Sequence, residues 1–282
     1  MTMSIPTGGL EGAGTLVTGG GSGIGLGCAT RFARDGAHVT IVGRTEDRLR
    51  AAVEEIRTAA APGATVQYTV ADVTEEEQVA AAVAVALAPT GTLDGVVACA
   101  GGSETIGPIT QMDTAAWRRT LDVNITGTML TIKHVAPVMA RAGSGSIVGI
   151  SSIASSNVHP WFGAYGPGKA GIDHVCQLAA IELGASGVRV NAIRPGLVDT
   201  ELVEFVTAGG EVLDDYLECM PISRVGTVED IAGLARFLVG PESTWITGQL
   251  VNVDGGHQLT RGPSYRAILE PLFGADALRG IT

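Results

Sequence analysis

Tyr165 and Lys169 stand four residues apart in the run Tyr165-Gly166-Pro167-Gly168-Lys169. A helix through them sends both side chains out of one face, one turn from each other. A phenol has an ordinary pKa of about 10 and is a poor base near neutrality. A neighbouring ammonium favours the phenolate and is expected to lower that value. So tuned, a tyrosine takes a proton from an alcohol or gives one to a carbonyl oxygen. Ser152 closes an apolar, strand-like run at residues 146–151 and offers a hydroxyl to hold the same oxygen. The Y-x-x-x-K interval alone occurs on any helix, so its meaning depends on the elements around it.

Those elements alternate. Strand-like runs at residues 13–18, 38–42, 65–71, 93–100, 146–152, 188–193 and 249–253 are separated by helical stretches. The first helix opens at the glycine run 19–25 and ends near Arg34. Thr45 with Glu46 and Asp47 caps the second, which turns Leu49, Val53 and Ile56 inward. Thr74-Glu75-Glu76-Glu77 reads as a capping box before an alanine-rich helix. A long helix over 113–141 holds Asn124, and a helix over 164–186 carries Tyr165 and Lys169. The sixth strand is interrupted by Arg194-Pro195-Gly196. An apolar, lid-like segment spans 197–220, and Thr227 with Asp230 starts a further helix. Strand–helix alternation predicts an α/β fold: one doubly wound domain, a parallel seven-stranded sheet with helices on both faces and right-handed crossovers. No linker divides the chain, so residues 1–282 read as one domain, with 1–12 a leader and 257–282 a tail.

The formal charge, 18 − 29 = −11, argues against a nucleic-acid partner, which calls for a basic footprint. Apolar residues make up 45%, ample for a core. Lys133 and Lys169 are the only lysines, against sixteen arginines, so a lysine at 169 is not a filler choice. Cys28, Cys99, Cys176 and Cys219 are scattered without C-x-x-C, and the five histidines form no H-E-x-x-H. Reduced cysteines in a cytoplasmic protein with no metal site are therefore expected. No signal peptide is read, and no apolar run is long enough to cross a bilayer.

Glycines 19, 23 and 25 between a strand and a helix let the backbone approach a pyrophosphate at the helix N-terminus, where free N–H groups and the helix dipole favour an anion. The spacing is G-x-x-x-G-x-G. After the second strand a carboxylate would bind a ribose 2′-hydroxyl and repel a 2′-phosphate. Here stand Gly43 and Arg44, which favour NADP(H), with NAD(H) the second choice. Asp72, at the end of the third strand, could reach the adenine amino group or serve as a helix cap.

Taken together, Thr18-Gly19-x-x-x-Gly23-Ile24-Gly25, Asp72, Ala100-Gly101, Asn124, Ser152, Tyr165-x-x-x-Lys169 and Pro195-Gly196 resemble the short-chain dehydrogenase/reductase family in order and spacing. The resemblance runs from about Gly12 to Gly256. It implies a Rossmann-like domain that interconverts a secondary alcohol and a ketone by hydride transfer. Tyr165 would be the general acid/base, Lys169 would lower its pKa and hold the nicotinamide ribose, and Ser152, thirteen residues before the tyrosine, would orient the substrate oxygen. Asn124 would anchor a water linking Lys169 to solvent. The cofactor would lie against Thr18, Gly19, Gly21, Ser22, Gly23, Ile24, Gly25, Arg44, Asp72, Val73, Ala100, Gly101, Pro195, Gly196, Val198 and Thr200, besides Tyr165 and Lys169. Two departures from the family pattern are Cys99, where an asparagine is usual, and the Gly-Pro-Gly between Tyr165 and Lys169. Pro167 falls in the first helical turn, where a missing N–H costs little.

The apolar side chains of the lid-like segment, with His159, Trp161 and Phe162 after Ser152, favour a bulky, fairly apolar ketone or secondary alcohol. A catalytically silent dinucleotide sensor is the alternative, against which both Tyr165 and Lys169 are retained. Enoyl reduction in the same family uses a wider tyrosine–lysine interval. The resemblance further implies a homotetramer joined through the two long helices and the last strand, with the tail reaching over a partner's active site.

Overall fold

Side chains of a strand alternate between the two faces of its sheet, and a sheet covered on both faces is built from strands that are apolar throughout. The inner runs at residues 14–18, 95–98 and 145–150 follow that rule, whereas the edge runs at 66–70 and 250–253 are only partly buried. The computed structural model describes residues 9–281; residues 1–8 of the expected leader, and Thr282, lie outside the described residues. Seven parallel strands form one sheet: β1 (Gly14–Thr18), β2 (His38–Gly43), β3 (Val66–Val70), β4 (Gly95–Ala98), β5 (Gly145–Ile150), β6 (Val188–Pro195) and β7 (Leu250–Val253). Their order is β3-β2-β1-β4-β5-β6-β7.

Helices α1 (Gly23–Arg34), α2 (Glu46–Ala59), α3 (Glu76–Leu87), α4 (Thr114–Leu121), α5 (Gly127–Ala142) and α6 (Tyr165–Leu183) follow in turn. Short α7 (Glu204–Thr207) and α8 (Glu211–Cys219) build the lid-like segment; α9 (Val228–Val239), α10 (Arg266–Phe273) and α11 (Ala275–Leu278) complete the chain. Val17, Val97 and Val148 face one core with Phe32 of α1, Ile56 of α2 and Ile231 of α9. Their neighbours Leu16, Val96 and Ile147 face the opposite core with Val83 of α3, Val135 of α5 and Ile172 of α6. This is the doubly wound arrangement expected. Each such large side chain, fully buried, stabilises the fold by roughly 1.5–3 kcal/mol before the entropy of ordering is counted.

Four local expectations are corrected. The 113–141 helix is not continuous: α4 and α5 are joined by a π turn, Asp122–Thr126, that carries Asn124. β6 is not broken at Arg194 but pairs through Pro195 with Val253, and Gly196 N donates to Val253 O at 3.0 Å. Thr45 occupies the N-cap position of α2 without a side-chain cap bond. The capping box at 74–77 does not form: Glu75 is the N-cap of α3, and the Thr74 hydroxyl turns back to Asp72 Oδ1 at 2.8 Å. At α9 the reciprocal Thr227–Asp230 box is present.

Candidate active site

The strand order reverses between β1 and β4, and in open parallel sheets ligands sit beyond the strand carboxyl ends at such a point. There the chain forms a cleft of about 540 Å³. Gly19 leaves β1 with φ +67°, a left-handed conformation that glycine alone adopts cheaply, and a Cβ there would lie 2.9 Å from Ala100 N. No acidic residue stands in the first turn of α1, and the N-cap Ser22 makes no side-chain bond. The first N–H groups of a helix have no partner within it, so this turn can take an anion. Thr18 Oγ1 accepts from both Cys99 N and Ala100 N at 3.1 Å, tying the two loops together beside the unusual Cys99.

Gly19, Ser22, Gly23, Ile24, Gly25, Arg44, Ala100, Gly101, Tyr165, Lys169, Pro195, Gly196, Val198 and Thr200 all line this cleft. Thr18, Gly21, Asp72 and Val73 do not. Thr18 is the buried tie just described. A Cβ on Gly21 would face Leu49 and Arg48, and Val73 packs in a small core with Val79 and Leu130. Asp72 holds Thr74 N and Oγ1 and pairs with Arg44 at 3.9 Å. Sequence reasoning missed Arg48, which lines the cleft beside Arg44 and pairs with Glu201 at 3.0 Å. A second guanidinium four residues on was the available signal.

Where the cleft ends, Tyr165 and Lys169 leave the first turn of α6. Lys169 is buried; its Nζ lies 5.6 Å from the centroid of the Tyr165 ring and donates to Ile150 O at 2.9 Å. Ser152 lies just past β5 as the N-cap of a short turn, its Oγ accepting from Ala154 N at 3.1 Å and hydrogen-bonded to Tyr165. The expected lowering of the Tyr165 pKa is not found in the protein alone. Burial pushes it up, the bond to Ser152 opposes that, and Cys99 adds to it. Burial also brings Lys169 down to about 8, against the pull of Cys99 and Asp173. Desolvation disfavours both charged forms, and it is the largest influence on each.

Asn124 does not touch the cleft directly. Its Nδ2 donates to Gly102 O and Thr120 O, both at 2.7 Å, while its buried Oδ1 has no partner. A Cβ added to Gly101 would sit 2.6 Å from that Oδ1 and 3.2 Å from Lys169 Nζ. A small polar gap therefore joins the asparagine to the lysine, and it suits a bridging water.

Ser152, Tyr165, Gly196, Leu202 and Val203 also line a second pocket, of about 380 Å³. Its walls are aromatic. Phe162 meets Tyr165 and Tyr265 edge-on, with centroids 5.9 and 4.8 Å apart, and the hydroxyls of Tyr216 and Tyr265 lie 3.1 Å apart. Trp161, between His159 and Phe162, takes a left-handed backbone (φ 66°) and is held by Gly107 N donating to its carbonyl at 2.8 Å. The lid-like segment packs its Val206, Val212, Tyr216 and Met220 with Tyr265 and Leu269 of the tail. Apolar residues of α8 and α10 bury each other, and Tyr265 enters the pocket of its own chain.

The cleft fits a dinucleotide by two observations of this structure: the glycine cradle at 19–25 and the gap between Asn124 Oδ1 and Lys169 Nζ. Among the described residues, no group of three or more His, Cys, Asp or Glu is placed to hold a metal ion, and no helix is long and apolar enough to cross a membrane.

A family model described as enoyl-(acyl carrier protein) reductase matches residues 19–258. A solved short-chain type dehydrogenase/reductase from Mycobacterium ulcerans superimposes with a TM-score of 0.95 at 54% identity, covering 96% of this chain and 99% of that one. The chain belongs to the short-chain dehydrogenase/reductase family. It is 37% identical to the cis-4-hydroxycyclohexanecarboxylate dehydrogenase of Sinomonas cyclohexanicum, over 86% of this chain and 95% of the relative. A 7α-hydroxysteroid dehydrogenase, solved with NADH and 7-oxo glycochenodeoxycholic acid, has a TM-score of 0.82 at 33% identity, covering 88% and 94% of the two chains. Family relatives so named support NAD(P)-dependent oxidoreductase chemistry on an alcohol or ketone.

Proposed function

We propose that the chain interconverts a secondary alcohol and a ketone with NADP(H) as preferred cofactor and Tyr165 as general acid/base. The observation that carries this reading is the meeting of the glycine-lined cleft and the aromatic pocket at one pair of hydroxyls, Ser152 and Tyr165. A nicotinamide dinucleotide, when bound, supplies or takes the hydride at the carbon that bears the oxygen. In the direction of reduction, Ser152 Oγ and the Tyr165 hydroxyl hold the carbonyl oxygen, and Tyr165 gives its proton to it. Lys169 Nζ and the asparagine gap behind it are the route by which that proton is replaced. In oxidation the same steps run backwards, so Tyr165 must first lose its proton.

The NADP(H) preference rests on Arg44 and Arg48, which line the cleft after β2, with Arg44 in place of a carboxylate directly after the strand. Substrate class follows from the pocket, whose walls suit a compact, largely apolar ring or chain. Relatives named for cyclic alcohols and a steroid are in keeping with that. Enoyl reduction is disfavoured by the Tyr165–Lys169 interval of a single helical turn, and no observation favours a silent nucleotide sensor. Assembly as a homotetramer belongs to the same proposal, supported by Met129 on α5, Leu178 and Ile181 on α6 and Trp245 before β7, all apolar and exposed; light scattering tests it. A cytoplasmic location rests on the four free cysteines.

The deciding experiment follows reduced-cofactor absorbance over a panel of ketones and alcohols for the wild type and Tyr165→Phe. Loss of the proton donor should lower turnover by about 10²–10⁴-fold while nucleotide binding persists. Near-normal turnover in the variant would overturn the assignment.

A further inference from the structure

The polar groups of the aromatic pocket divide into those already spent and those still free. Ser103 Oγ bonds to Thr105 O at 3.0 Å, Thr105 Oγ1 accepts from Ala164 N at 3.0 Å, and the Glu104 carboxylate is held by Arg119 Nε at 2.7 Å. Glu104 stands more than half exposed, so apart from Ser152 and Tyr165 the buried polar groups left are His159 and the Tyr216–Tyr265 pair. His159 is 7% exposed, and Nδ1 faces the carbonyl oxygen of Asn157 at 2.7 Å, so Nδ1 must carry the proton and donate. Nε2 is then a bare acceptor, and it has no partner among the described residues. Burial lowers the His159 pKa to about 4, so the ring stays neutral near pH 7. The Tyr216 ring lies 6.1 Å from that of His159, and in the Tyr216–Tyr265 pair only one of two hydroxyl hydrogens is used. One wall therefore offers an unused acceptor and an unused donor together.

We infer that His159 is a specificity-determining residue: its Nε2 accepts a hydrogen bond from a hydroxyl that the substrate carries away from the reacting carbon. A single hydroxyl can both donate to Nε2 and accept the spare phenol hydrogen. The inference deepens the proposed alcohol/ketone reading and rests on it. The substrates so selected are hydroxylated, otherwise apolar ketones and the matching diols.

The test compares cyclohexanones and decalones bearing a remote hydroxyl with the same compounds capped as methyl ethers, which accept but cannot donate. Wild-type kcat/KM should favour the hydroxyl form by about tenfold, the scale of one hydrogen bond to a buried group. His159→Phe, which keeps a ring without the nitrogen, should bring the ratio close to one, and His159→Leu provides the same reading should the phenylalanine fold poorly. A ratio near one in the wild type, or one that survives both substitutions, would overturn the inference. Should the wild type reduce no ketone, the reaction reading fails instead. Calorimetric affinities of the two ligand forms for the protein–NADP⁺ complex then decide on His159, with the same ratios for and against.

Discussion

The ammonium of Lys169 lies over the Tyr165 ring, 5.6 Å from its centroid, and its hydrogen bond goes to Ile150 O. The lysine supports the phenol from the side and leaves its oxygen to Ser152 and to whatever occupies the pocket. In this arrangement desolvation prevails, and both residues lean toward their neutral forms.

A directional pH dependence follows. With the Tyr165 pKa raised, the residue holds its proton at neutrality and is ready to act as an acid. Alcohol oxidation, which needs the phenolate, should climb as the pH rises from about 7 to about 10, whereas ketone reduction should not. Initial rates in both directions over that range check this. Oxidation that is flat with pH while chemistry limits the rate would contradict it.

Lys169 also makes a stability prediction. Its folded value of about 8 lies below its ordinary 10.5, so between those limits the unfolded chain binds the proton more tightly. Unfolding free energy from this group therefore rises with pH across the window: the penalty of burying an ammonium is full below about 8 and gone above about 10.5. Lys169→Met lacks the term. Melting temperatures of wild type minus variant should shift in favour of the wild type across this range, and a constant difference would show that the lysine is not desolvated.

Gly101→Ala probes the gap behind the lysine. The new methyl would stand 2.6 Å from Asn124 Oδ1 and 3.2 Å from Lys169 Nζ, and both must move. Turnover should fall at least about tenfold, since small misplacements at a reacting centre are costly, with the far-ultraviolet circular dichroism spectrum unchanged. Full activity would mean that the gap carries no proton traffic.

Cofactor choice can be inverted at the end of β2. Arg44→Asp exchanges a guanidinium suited to phosphate for a carboxylate that repels a 2′-phosphate and accepts from a 2′-hydroxyl. The ratio of kcat/KM for NADPH over NADH should drop by about 10²-fold, as expected when one charged contact changes sign. A wild type that already prefers NADH would refute the premise.

The fold was legible because its signal is local and repeated. The inner strands are short, mostly apolar runs, the long helices turn apolar residues inward, and the glycines at 19, 23 and 25 mark the turn where β1 meets α1. What escaped is what local pattern does not encode. The π turn at Asn124 inserts its extra residue into a stretch that still reads as helical. The Thr74 hydroxyl could have accepted from an N–H at the start of α3, and it donates to Asp72 Oδ1 instead. The Tyr216–Tyr265 pair joins positions 49 residues apart, and no period connects them.

Tyr265 arrives from beyond β7, after every residue that touches the nucleotide cleft has already been laid down. The molecule thus completes its substrate pocket with a late addition, although His159 and Phe162 of the same pocket lie between Ser152 and Tyr165. Grafting a different terminus from a relative onto residues 9–256 should change only the wall that Tyr265 supplies, so that one side of the pocket can be varied while the cleft stays as it is.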